Sequence, residues 1–113
     1  MPASADHGPG ASVAELLSAI WNGHRGHVQE RVEAISTALD ALAHDALGPE
    51  QRAAAEQAAH MIAGTGGTFG FARATELARE LEHGLAHGAE LRPADAARLV
   101  ILLDGLRAEL GRA

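Results

Sequence analysis

Apolar residues along this chain return every three or four positions, the spacing that lines one face of an α-helix. Val13, Leu16, Leu17 and Ile20 make a first stripe, and Ser12 with Glu15 has the spacing of a capping box. Asn22-Gly23-His24-Arg25-Gly26 weakens that helix, since each interior glycine costs about 1 kcal/mol relative to alanine. The pattern resumes in phase at Val28, Val32, Ile35, Leu39 and Leu42. This predicts a short first helix, a bend, and a long second helix ending near Leu47. Gly48-Pro49 breaks the chain, and Pro49 with Glu50 suits the first turn of a third helix. That helix is expected to fade in the glycine-rich run Gly64 to Gly70. A fourth carries Phe71, Ala74, Leu77, Ala78, Leu81 and Leu85, frayed at its end by Gly84 and Gly88. Pro93 opens the last, with Ala96, Leu99, Leu103, Leu106 and Leu110.

Nothing along the chain alternates as a strand would, and no segment repeats. Four longer helices, each with one apolar stripe and joined by short loops, bury those stripes together as an antiparallel bundle. The fold class expected is therefore all-α: an antiparallel four-helix bundle, with the short additional N-terminal helix capping one end. Residues 1–11 (MPASADHGPGA) lack apolar periodicity and read as a disordered lead-in, leaving residues 12–113 as one domain.

Composition agrees with this picture and narrows the function. Aromatics are only 3% while Ala, Leu, Glu and Arg dominate, which favours closely packed helices over a β-sandwich. The formal net charge of -6 argues against nucleic acid and against anionic lipid as partners. Without cysteine there is no disulfide framework, thiol nucleophile or thiolate metal site. No apolar run reaches membrane-span length, and no basic segment leads into an apolar one as in a signal peptide. A cytoplasmic protein is expected.

The third helix carries the candidate chemistry. On a wheel of about 100° per residue, Ala54, Ala55, Ala58, Ala59, Met61 and Ile62 form one broad side, expected to face the core. His60 falls opposite its centre, among Ala53, Glu56, Gln57, Ala63, Gly64 and Gly67. A solvated helix face normally bears long charged side chains, and glycine there costs stability. Close approach of another macromolecule to the imidazole would account for the small residues. A neutral imidazole is a nucleophile, able to take a phosphoryl group from a donor that reaches it in line.

The segment from Ala59 to Gly70, AHMIAGTGGTFG, resembles the signature of histidine phosphotransfer (HPt) domains. That signature reads approximately A-H-x-L-K-G, then small residues, a second glycine, and a helix ending in L-E. His60, Ile62, Gly64 and Gly70 stand at the matching positions, and Leu77, Leu81 and Glu82 match the following helix. The resemblance implies a four-helix bundle that exposes His60 as phosphoacceptor, with Gln57, Ala63, Gly64 and Gly67 in the surface where partners dock. It implies a stoichiometric phosphocarrier without autokinase activity. Such a carrier would stand between the receiver domain of a hybrid histidine kinase and that of a response regulator. No intrinsic cofactor is then needed, because magnesium comes with the receiver, and a monomer is expected. One position departs: the family commonly has lysine three residues after the histidine, where this chain has Ala63. Slower transfer, a cation from the partner, or another basic residue nearby would each follow from that change. The same departure keeps open a rival reading, a docking module that binds a receiver or kinase without carrying phosphate.

Other signals are weaker. The run from Gly64 to Gly70 lacks the third glycine, the Lys-Ser/Thr and the preceding strand of a phosphate-binding loop, and reads as a helix connection. His83 with His87, and His24 with His27, have helical spacing suited to a metal, but neither pair has a third ligand in register. Glu56, one turn before His60, and Glu82 are both candidates to meet its ring. Trp21 reads as a plug for the end of the bundle.

Overall fold

Helix-forming sequence and in-phase apolar stripes produce four helices in the computed structural model, which describes residues 9–113, with side chains from Ser12 onward. They are α1 (Pro9–Ala43), α2 (Pro49–Phe69), α3 (Ala72–Leu85) and α4 (Ala96–Gly111). Each packs on two neighbours, α1 and α3 both meeting α2 and α4, which is the cycle of a four-helix bundle. The core is aliphatic and small: Ile35 and Leu39 from α1, Ala55, Ala59 and Ile62 from α2, Ala78, Leu81 and Leu85 from α3, Leu99 and Leu106 from α4. No strand occurs among the described residues.

The expected short additional N-terminal helix does not exist separately. α1 runs unbroken through Gly23 and Gly26, because only a continuous helix keeps Trp21, Val28 and Val32 in phase on the buried face. Local contacts bridge the anticipated bend: His24 Nδ1 donates to the Ile20 carbonyl at 3.0 Å, and the Arg25 guanidinium lies 5.3 Å from the centre of the Trp21 ring. Ser12 is consequently inside the helix, not its cap. Of the proposed lead-in, residues 1–8 lie outside the described residues, and Pro9–Ala11 are the first helical residues of α1. Nor does this first segment cap the bundle. Val13, Leu16, Leu17 and Ile20 are exposed, and Trp21 is the first buried residue among those whose side chains are described. The bundle ends there, with Trp21 packed edge-on against Phe69 and Phe71 at 5.4 and 5.0 Å between ring centroids. The plug role expected for Trp21 matches that packing.

Other boundaries move by a turn or less. α1 ends at Ala43, before Leu47, and a 3₁₀ turn (Pro93–Asp95) precedes α4. Pro49 and Glu50 occupy the first turn of α2, with Gly48 as its N-cap. The glycine run does not connect helices: α2 continues through it to Phe69 and stops at Gly70, whose φ of 76° is left-handed and suits glycine. The reason lies at Gly66. A β-carbon there would come 2.6 Å from Thr75 Oγ1, so glycine lets α2 approach α3 where a larger residue would hold it off. Thr75 Oγ1 is itself fixed by donating to the Phe71 carbonyl at 3.0 Å.

The other end of the α2–α3 pair is held by Arg52. Its Nε donates to the Leu85 carbonyl at 2.9 Å, and its Nη2 to the carbonyls of Ala86 and Ala89 at 2.6 and 2.7 Å. These carbonyls belong to the end of α3 and the turn after it, where backbone acceptors lack helical partners.

Two stability predictions follow from these anchors. Gly66→Ala should destabilise the bundle by about 1–3 kcal/mol through overpacking. Gly67→Ala, whose β-carbon would meet nothing within 4 Å, should be neutral or stabilising by up to about 1 kcal/mol. Urea denaturation of the two variants against wild type checks the contrast. Arg52→Ala should cost about 2 kcal/mol by the same measurement, because it unpairs three carbonyls from a charged donor.

Candidate functional site

His60 sits midway along α2, on the side away from α3's apolar stripe, and its side chain is 65% exposed. The buried stripe of α2 is Ala55, Ala58, Ala59, Ile62, Ala63 and Gly66. This stripe is narrower than the side drawn from the wheel, and Ala54 and Met61, at its edge, face solvent. Ala63 is the opposite correction. It falls one turn after Ala59 on the core-facing side, is only 6% exposed, and therefore lies beneath the surface expected to dock a partner. Gln57, Gly64 and Gly67 are exposed on the His60 side. A β-carbon at Gly64 or Gly67 would meet nothing within 4 Å, so internal packing does not demand glycine at either place.

One partner fixes the imidazole. Nδ1 of His60 lies 2.9 Å from Oε2 of Glu82, which projects from α3 and is 25% exposed. A carboxylate accepts, so Nδ1 carries the proton and the neutral ring has its lone pair on Nε2. Nε2 makes no hydrogen bond among the described residues. Of the two acids considered for contact with the ring, Glu82 meets it, and Glu56 makes no hydrogen bond to it. The site thus presents an oriented nucleophilic nitrogen on an exposed helix face. A carboxylate behind the ring can stabilise positive charge that develops there.

Beside the ring, an open groove of about 470 Å³ is lined by His24 and Arg31 of α1 and by His60, Met61, Gly64 and Phe69 of α2, among others. The α1 contribution was not foreseen. Its signal was in the register, since His24 and Arg31 are seven positions apart and so share a face of α1. That face could not be assigned to His60 without knowing how α1 lies on α2.

His83 and His87 do not share a helix face. α3 ends at Leu85, so His87 lies in the following turn and has no helical relation to His83. No group of three or more His, Cys, Asp or Glu able to hold a metal stands together among the described residues. Among the same residues no helix is long and apolar enough to cross a membrane.

Comparison with known proteins agrees with this geometry. The family model described as the Hpt domain matches residues 21–109. Protein RcaC of Microchaete diplosiphon is 27% identical over 95 residues, which cover 84% of this chain and 15% of RcaC, so the chain spans a small part of that relative's length. No solved structure matches. The matched region begins where the bundle begins, at Trp21, and includes His60, Glu82 and all but the end of α4; the chain belongs to the Hpt domain family, the histidine phosphotransfer modules of two-component signalling, which interact with receiver domains.

Proposed function

We propose that this protein is a phosphorelay intermediate that carries a phosphoryl group on Nε2 of His60 between receiver-domain aspartates. The donor is proposed to be the receiver of a hybrid histidine kinase, and the acceptor that of a response regulator, both met in the cytoplasm. The observation that carries the reading is the 2.9 Å contact of His60 Nδ1 with Glu82 on an otherwise open ring.

In the forward step the Nε2 lone pair attacks the phosphorus of an aspartyl phosphate. The P–N bond forms as the bond from phosphorus to the aspartate oxygen breaks, and the electron pair leaves with the carboxylate. The Nδ1 proton stays in place, so the phosphorylated ring is cationic and Glu82 faces its positive charge. No proton need be moved, and the step is readily reversed, as a carrier requires. Exposure of the ring and the bare surface at Gly64 and Gly67 support in-line access for a docked domain. The magnesium of acyl-phosphate chemistry is proposed to come with the receiver.

His60→Gln should abolish labelling by a phosphorylated receiver while leaving the helical signal and the denaturation midpoint close to wild type. Gel detection of transferred ³²P checks this, and undiminished labelling of the variant would reject the assignment. Glu82→Gln keeps a hydrogen-bond acceptor but removes the charge facing the ring. A charge-assisted hydrogen bond contributes about 1.5–3 kcal/mol, so rapid-quench transfer should slow roughly tenfold to hundredfold. A rate within twofold of wild type would show that Glu82 only orients the ring.

A further inference from the structure

We propose that Arg31 of α1 is the cation that receives the phosphoryl group beside His60, a role that rests on the phosphocarrier reading above. The need for one is electrostatic. A phosphoryl group on Nε2 brings up to two negative charges to within an imidazole ring of the Glu82 carboxylate. The imidazolium charge that forms on the ring is faced by Glu82, and no cationic side chain of α2 stands beyond it: the position one turn after His60 is the buried methyl of Ala63. The chain has no lysine at all, so any permanent cation must be one of its nine arginines.

Six of those arginines already have partners. Arg25 donates to Asn22 and the Ala113 carbonyl, Arg52 to three carbonyls, and Arg73, Arg92, Arg107 and Arg112 pair with glutamates. Arg31, Arg79 and Arg98 have no hydrogen bond or ion pair among the described residues. Arg79 and Arg98 are exposed; Arg31 is half-buried and lines the groove that holds His60. A half-buried guanidinium without a carboxylate has lost part of its hydration and gained no counterion. A phosphoryl group entering that groove supplies the counterion, and the planar fork of arginine matches its oxygens. Among the groove-lining side chains, His24 is the other titratable group from α1, and its Nδ1 is committed to the Ile20 carbonyl. The cation that the α2 sequence lacks is therefore provided across the helix interface.

Arg31→Gln, Arg31→Lys and wild type, as full chains, separate the possibilities with two donors: a phosphorylated receiver, and phosphoramidate, which needs no docking surface. Arg31→Gln should slow labelling of His60 by roughly tenfold with both donors, the scale of one lost charge-stabilising contact in a partly hydrated site. Arg31→Lys should recover most of that loss. The ionisation midpoint of the phosphoryl group on His60, followed by ³¹P NMR, should move upward in Arg31→Gln, because the dianion loses its cation; a residue that merely supports α1 would not move it. Slowing confined to the receiver would make Arg31 a docking residue and overturn the proposal. Equal rates for wild type and Arg31→Gln, or a loss in Arg31→Lys as deep as in Arg31→Gln, would also overturn it. If wild type takes no label from either donor, the phosphocarrier reading fails and Arg31 loses its role with it. If wild type is labelled and only the Arg31 effects are missing, the carrier stands and this inference alone falls.

Discussion

The close packing of α2 on α3 is the constraint on which the site depends. The hydrogen bond from His60 to Glu82 joins two helices, so its geometry is only as good as their register. Small residues set the spacing: Ala55, Ala58, Ala59, Ala63 and Gly66 of α2 leave room for Leu77, Leu81 and Leu85 of α3 to settle between the backbones. Two contacts then stop the pair from sliding. Arg52 ties the start of α2 to the end of α3, and the fit of Gly66 against Thr75 fixes the other end, where Gly70 turns the chain. The His60 ring lies between these anchors. A reactive side chain can thus stand in solvent and still be held, because the order comes from beneath it.

This arrangement explains the uneven use of glycine in α2. Gly66 answers to α3, where a β-carbon would collide. Gly64 and Gly67 answer to nothing inside the molecule, yet each weakens the helix that carries them. A cost without an internal return fits the docking proposed for this face. The three residues look alike in the sequence, and only the position of α3 separates the packing glycine from the surface ones.

That distinction marks how far the sequence could be read. The number of long helices, most of their buried positions and the outward direction of His60 follow from periodicity, since a face is a local property of one helix. Glycine was the main source of error. Its helix propensity predicted a bend at Gly23–Gly26 and fading after Gly64, but tertiary packing overrides a penalty of about 1 kcal/mol per residue. α1 and α2 therefore run straight through both sites. Ala63 was misplaced for a different reason: it sits at the boundary between the buried and exposed faces, where a wheel is least decisive. Contacts between helices lay beyond such reading. Glu82 could be suspected but not joined to His60, and Arg31 could not be connected to the site at all, because its relation to α2 is set by the bundle.

The site is assembled from three helices by a division of roles. α2 offers His60, the proposed nucleophile, with the bare backbone of Gly64 one turn beyond it. α3 contributes the carboxylate that accepts from Nδ1 of the ring. α1 brings arginine to the groove in front. Arg31 and Glu82 form no ion pair with each other. Had the two charges met, each would have neutralised the other and neither would be available to the proposed transfer. Their separation leaves the carboxylate committed to the imidazole and the guanidinium without a partner, an arrangement suited to the anionic group of the proposed transfer.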